Sequence, residues 1–104
     1  MFDLRIRTEY RGRGVGAQAL QWLAQYIFSQ PEKIRIEGQT RRDNQVMRRL
    51  FRRSGWVKEA HYRQVWPAAD GRRRDSIGYG ILRSDWERGT VTPVEWDDEE
   101  PLPG

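Results

Sequence analysis

Three glycines within five positions, Gly12, Gly14 and Gly16, alternate with Arg11, Arg13 and Val15 and end on Ala17. Glycine lets a backbone curl until several N–H groups point inward, and it lets an anion approach with no Cβ in the way. If a helix starts directly behind such a turn, its first N–H groups are unpaired and its dipole places partial positive charge at the same spot. The combination is a phosphate cradle, and the two arginines add charge to it. Two familiar phosphate loops do not fit. No Lys-Ser/Thr pair follows the glycines, which excludes the P-loop, and the dinucleotide pattern G-x-G-x-x-G breaks at Ala17 with no second βαβ half behind it.

Periodicity supplies the elements that must hold this turn. Phe2, Leu4 and Ile6 alternate with Asp3, Arg5 and Arg7, the pattern of a half-buried strand leading into the glycines. Behind them Ala17, Leu20, Leu23, Ala24, Ile27 and Phe28 share one helical face. Gln30-Pro31 closes that helix, because the residue before proline avoids the helical region. Ile34 and Ile36 mark a second, short strand. Asp43 or Asn44 caps a second helix, whose apolar stripe is Val46, Met47, Leu50 and Phe51. Gly55 falls where a left-handed stop belongs, with Trp56 behind it. Two longer strands, roughly 57–66 and 75–84, flank the turn signal Asp70-Gly71. The order β-α-β-α-β-β predicts an α/β fold whose mixed sheet ends in an antiparallel hairpin.

Three motifs in register across residues 1–86 resemble the GCN5-related N-acetyltransferase (GNAT) superfamily. Arg11-x-x-Gly14-x-Gly16 is similar to its Q/R-x-x-G-x-G/A signature. Asn44-Gln-Val-Met-Arg-Arg-Leu-Phe51-Arg-Arg-Ser-Gly55-Trp56 repeats the spacing N-x-x-A-x-x-L-Y-x-x-x-G-F, with Trp in place of Phe. Asp75-Ser-Ile-Gly-Tyr-Gly-Ile-Leu-Arg-Ser-Asp-Trp86 resembles the last strand of the subgroup that acetylates ribosomal-protein N-termini and antibiotics. The resemblance implies the C-terminal half of the acyl-CoA N-acyltransferase fold over residues 1–88. An acidic, proline-containing, flexible tail is expected over 89–104.

It also implies roles. Backbone groups of Leu4, Arg5 and Ile6 would meet the acyl carbonyl and pantetheine arm of acetyl-CoA, the cosubstrate. Arg11, Gly12, Arg13, Gly14, Val15, Gly16 and Ala17 would hold its pyrophosphate. Asn44 matches the asparagine that contacts the coenzyme, and it is equally a helix cap. Amine attack on a thioester needs a route for the amine proton and an acid for the leaving thiolate. Phe51 stands at the family's tyrosine position and cannot donate a proton. Glu37, on the second strand, is the candidate general base, set against the plainer reading of a surface carboxylate. His61, the sole histidine, reads as a partly exposed strand residue with no metal or catalytic partner.

Charge adds a competing reading. Residues 1–90 hold 19 basic and 10 acidic side chains, a net +9, whereas 91–104 hold five acids and no base. Seventeen of the bases are arginine, whose planar fork suits phosphate oxygens. An arginine-rich nucleic-acid-binding module is therefore an alternative to the transferase, and a non-catalytic acyl-CoA sensor is another. Complete family members carry further strands and helices ahead of the loop strand. Their absence predicts a truncated remnant, a homodimer, or a partner chain that completes the sheet and shapes the amine-acceptor site. The chain has no cysteine, which fits a reducing cytoplasm. The expectation is no metal and no membrane segment.

Overall fold

A computed structural model describes the backbone of residues 2–8 and all of residues 16–96. Four strands and three helices follow in the order β1 (Phe2–Thr8), α1 (Ala17–Phe28), β2 (Lys33–Arg41), α2 (Gln45–Arg53), β3 (Val57–Pro67), β4 (Arg73–Leu82) and α3 (Arg83–Arg88). The sheet order is β1-β2-β4-β3: β1 and β2 run parallel, and β4 is antiparallel to both of its neighbours. This is the mixed α/β sheet with a terminal hairpin that the residue pattern predicts. Among the described residues no strand pairs with the outer edge of β1.

Both longer helices lie over one face of the sheet. Leu20, Ala24, Ile27 and Phe28 from α1, and Met47 and Phe51 from α2, are buried in one cluster with Ile36, Ile77, Tyr79, Ile81 and Trp56. Opposed residues of an antiparallel pair share a face, and Ile36 stands opposite Ile81, Gly38 opposite Tyr79 and Thr40 opposite Ile77. Gly38 is small for a reason: a Cβ there would lie 2.7 Å from Phe51 Cζ. The Phe51 ring stacks on Tyr79 at 4.9 Å and meets Trp56 at 5.1 Å.

The stop of α2 is a Schellman motif. Gly55 has φ +85°, the Trp56 N–H donates to Phe51 O at 2.9 Å and the Gly55 N–H to Arg52 O at 3.1 Å. The turn at Gly71, φ +81°, stands where Asp70-Gly71 predicts it.

Four expectations are corrected. Val46 is 55% exposed, so it is not part of the buried stripe; Met47 and Phe51, four residues apart, define the inward face, and Val46 is rotated a quarter-turn or more away from it. The second strand is nine residues long rather than short. Its outward residues Arg35, Glu37, Gln39 and Arg41 are polar and hide its length from a search for apolar runs. The last strand stops at Leu82, and α3 follows where strand was expected to Ser84. Arg83 fixes this turn by donating to the carbonyls of Lys33 (2.7 Å) and Gln30 (2.6 Å). His61 has a partner after all, Asp75, described below.

Past Gly89 the chain is fastened to α3. The buried Asp85 carboxylate accepts the hydroxyls of Thr90 and Thr92, both at 2.7 Å, and the Thr92 N–H at 3.1 Å. These donors, Thr92 foremost and then Thr90, hold its carboxyl below the usual carboxylate range. Among the described residues no helix is long and apolar enough to cross a membrane.

Candidate functional site

The parallel pair and the helix between its strands set the geometry. In β1, Leu4, Arg5 and Ile6 stand in register with Ile36, Glu37 and Gly38 of β2. The chain leaves β1 at Thr8 and re-enters regular structure at Gly16. Arg11, Gly12, Arg13, Gly14 and Val15 lie outside the described residues, as do positions 9 and 10.

Gly16 is the N-cap of α1, extended at φ −113° and ψ 179° and offering no side chain to the helix. Its carbonyl takes the first helical bond, from the Leu20 N–H at 3.1 Å. No acidic residue stands in the first turn. Among the described residues, a Cβ on Gly16 would meet nothing within 4 Å. Helix α1 is long enough for its peptide dipoles to add at that end. The turn residue Gly16 and the first helical residue Ala17 therefore stand where the sequence reading put them, at an N-terminus with donors to spare.

Asn44 begins α2 at the same end of the sheet. Its Oδ1 accepts the Met47 N–H at 3.2 Å, and the residue is buried at 4% exposure. The capping role is thus present.

Glu37 points away from the helices. Arg35 donates to it and also to Glu59, so one partly buried guanidinium joins two carboxylates across the sheet. Beneath them Gly80 stands opposite Glu37, and Gly78 opposite both Gln39 and Ala60. Glu37, Gln39, Glu59, Ala60 and Tyr62 rim a pocket of about 30 Å³ with Gly78 on its floor. Phe51 is fully buried on the other face, where its ring fills the space over Gly38.

Sequence reasoning missed the pair formed by His61 and Asp75. Nε2 of His61 lies 2.6 Å from Asp75 Oδ2, and the Gln64 N–H donates to Oδ1 at 2.9 Å. The His61 contact, and after it the Gln64 N–H, holds the Asp75 carboxyl below its usual range. The partners are fourteen residues apart on neighbouring strands, so only knowledge of the hairpin register could have joined them. Among the described residues no group of three His, Cys, Asp or Glu side chains is placed to hold a metal ion.

Comparison with known proteins now decides the family. The profile of the Acetyltransferase (GNAT) family matches residues 1–56, more than half of the sequence. The chain belongs to the GNAT family.

Solved structures agree. A GCN5-related N-acetyltransferase from Brucella melitensis is 30% identical at TM-score 0.62, over 68% of this chain and 32% of that one. RimL, a ribosomal alpha-N-protein acetyltransferase in complex with coenzyme A, is 25% identical at TM-score 0.59, over 70% and 41%. A spermidine N-acetyltransferase from Vibrio cholerae, at 23% identity and TM-score 0.65 over 75% and 45%, shares the fold. This GNAT chain spans about a third to a half of the length of those relatives. No curated protein sequence matches it.

Proposed function

We propose that this GNAT chain binds acetyl-CoA and supports transfer of its acetyl group to an amine. The observation that carries the reading is the N-terminus of α1, which has no side-chain cap among the described residues and follows the β1 strand and the glycine-arginine segment. In this reading Arg11 to Ala17 hold the pyrophosphate on backbone N–H groups. Backbone groups of Leu4, Arg5 and Ile6 take the pantetheine arm and the thioester oxygen. Donors aimed at that oxygen favour the charge that develops on attack. Asn44 spends its Oδ1 on the helix cap, which leaves Nδ2 as a donor to the coenzyme.

The acceptor amine approaches the face that carries no helix, where Glu37, Gln39, Glu59 and Tyr62 stand around the glycine floor. Glu37 is the base of this scheme, oriented by Arg35. A ribosomal-protein N-terminus, the substrate type of the RimL-like subgroup, fits an enzyme of this kind. The open edge of β1 favours a homodimer or a completing partner chain, with residues 1–88 as the acetyltransferase unit and the acidic stretch beyond as a tail. The reading places the reaction in the cytoplasm.

One observation favours a second reading, an acyl-CoA sensor without turnover. Phe51 is fully buried and stacked on Tyr79, so the position that carries tyrosine in the family offers no acid to a leaving thiolate.

Calorimetric titration with acetyl-CoA tests both, with solution mass read alongside. Micromolar binding that disappears when Gly14 and Gly16 become valine supports the coenzyme site. Absence of binding by a folded protein sinks it. Binding without turnover across an amine panel, unchanged by Glu37→Gln, selects the sensor.

A further inference from the structure

Where β2 ends and β4 begins, a cleft of about 460 Å³ opens beside the first turns of α2. Four arginines line it: Arg42 from the turn, Arg48 from α2, and Arg73 and Arg74 from β4, with Gln45 among them. Two carboxylates, Asp43 and Asp75, also face it. What matters is how much of the positive charge those acids already neutralise.

Asp43 is held by Arg41 in a two-bond fork at 3.0 and 2.7 Å. Arg74 pairs with Asp70 at 2.6 Å and lies 3.9 Å from Asp43. Asp75 is engaged by His61 and the Gln64 N–H, with Arg42 acting on it through space. That leaves Arg48 and Arg73, both tied to neutral oxygens. Arg48 donates from Nε to the Tyr79 hydroxyl at 3.2 Å and from Nη1 to Arg42 O at 3.0 Å. Arg73 donates from Nε to Gln64 O at 2.7 Å and from Nη2 to Val65 O at 3.4 Å. Among the described residues neither guanidinium meets a carboxylate; each is positioned in advance and has further N–H donors beyond those bonds.

The anchor of Arg73 is itself an unusual piece of backbone. Gln64 sits in an irregularity of β3 between Tyr62 and Trp66, at φ +54°. A non-glycine residue in that region is strained and persists where its surroundings over-determine it. Here Asp75 accepts the Gln64 N–H while Arg73 donates to the Gln64 carbonyl, so the strained residue and the arginine fix each other. Bulges re-aim side chains, and this one braces a cation at the cleft.

We propose that this cleft binds the phosphate backbone of a single-stranded nucleic acid. An extended polyanion fits better than a single small anion because the charge continues out of the cleft. Exposed Arg49, Arg52 and Arg53 descend α2 beyond Arg48, and exposed Arg72 adjoins Arg73. Among the described residues none of the cleft's lining comes from β1 or α1, the elements that flank the glycine segment. The cleft adjoins the proposed coenzyme site at Asn44, which lies between the lining residues Asp43 and Gln45, but the inference uses neither Asn44 nor the glycine segment.

The test is fluorescence anisotropy of a labelled oligouridine dodecamer over a salt series, with the full chain. Binding is expected to weaken steeply with salt, since each phosphate contact on a single strand contributes a slope of about −0.7 in log K against log salt. Arg48→Gln/Arg73→Gln should cost tenfold or more in affinity and flatten the slope by about 1.4. Arg73→Gln alone, an exposed change that leaves the tie between Arg48 and Tyr79 intact, should flatten it by about 0.7. Arg88→Gln in α3, at the opposite end of β4, should match the parent protein. Three results overturn the proposal: no salt-dependent binding by the folded chain, a double variant that behaves like Arg88→Gln, or displacement of the RNA by coenzyme A. The last would assign the cleft to the coenzyme.

Discussion

The two longer helices begin at the same end of the sheet, because each follows a strand of the parallel pair, yet their first turns are finished differently. At α2 the chain satisfies its own donors: Asn44 Oδ1 takes the Met47 N–H, and the turn before it is braced to β4 by the Arg42 N–H donating to Asp75 O at 2.8 Å. At α1 the cap is Gly16, which has no side chain to offer; the first turn has no acidic residue, and among the described residues no atom lies within 4 Å of where a Cβ on Gly16 would stand. A Ser, Asp or Asn cap stabilises a helix end by about 1 kcal/mol relative to Ala but by only a few tenths relative to Gly. Leaving α1 open therefore costs the fold little. In the proposed reading it keeps the donors for an anion from outside, whereas at α2 Asn44 takes up one of them itself.

The largest expected effect breaks the closed side. Gly38→Ala pushes a methyl to within 2.7 and 2.9 Å of the Phe51 ring, which is fully buried against Tyr79 and Trp56 and cannot retreat. Overpacking of this kind costs about 1–3 kcal/mol, and urea unfolding should place this variant at the upper end of that range. A wild-type midpoint would mean that α2 does not rest on Gly38 as described.

The open side is addressed by Gly16→Asp. The backbone at φ −113° accepts any residue, and among the described residues a Cβ there meets nothing within 4 Å, so an aspartate can cap α1. Stability should stay within a few tenths of a kcal/mol of the parent, on the favourable side. Acetyl-CoA affinity should fall at least about tenfold, because a carboxylate then takes the donors and repels the phosphates. Calorimetry and thermal unfolding on one preparation read both quantities. Unchanged affinity would remove α1 from the coenzyme site.

Asn44 separates capping from binding. Asn44→Ala should destabilise the protein by about 1 kcal/mol. Asn44→Asp keeps an acceptor for the Met47 N–H and should preserve stability, while removing the Nδ2 donor assigned to the coenzyme. A drop in acetyl-CoA affinity in the aspartate variant would show that the side chain does both.

What the sequence announced, and what it hid, follows from the range of the interactions involved. The Asn44 cap, the Schellman stop at Gly55 and Trp56, and the amphipathic face of α1 are each decided within four or five residues, and all three were legible. The end of β4 was not, since Arg83 turns the chain into α3 by reaching carbonyls of Lys33 and Gln30, 50 and 53 residues earlier in the sequence. Val46 was misplaced because hydrophobicity alone does not say which of two adjacent apolar residues faces inward. At the candidate site, the helix behind the glycines was visible as a pattern, while Gly12 and Gly14 lie outside the described residues. The joining of Glu37 to Glu59 through Arg35 and the two braced arginines of the cleft were not, because each depends on strand register.

The smallest expected effect concerns acid. The closed side rests partly on Asp75, which receives His61 and the Gln64 N–H through its carboxylate and the Arg42 N–H through its carbonyl. Its carboxyl is depressed below the ordinary value, so the folded state binds that proton less readily than the unfolded chain. The stabilisation is accordingly complete above the usual carboxylate range, and it is lost as pH falls from there through the depressed folded value. The pair is partly exposed, which keeps the effect small. The first turn of α1 contains no acidic residue and has no matching dependence of its own. Thermal unfolding between neutral pH and about pH 3 should therefore show Asp75→Asn with a shallower acid decline than the parent. Amide exchange should report the loss first around Arg42 and Gln64 and leave Leu20 in α1 protected. Parallel loss of protection at both helix starts would mean that they open as one unit, and the contrast between them would then be one of capping chemistry alone.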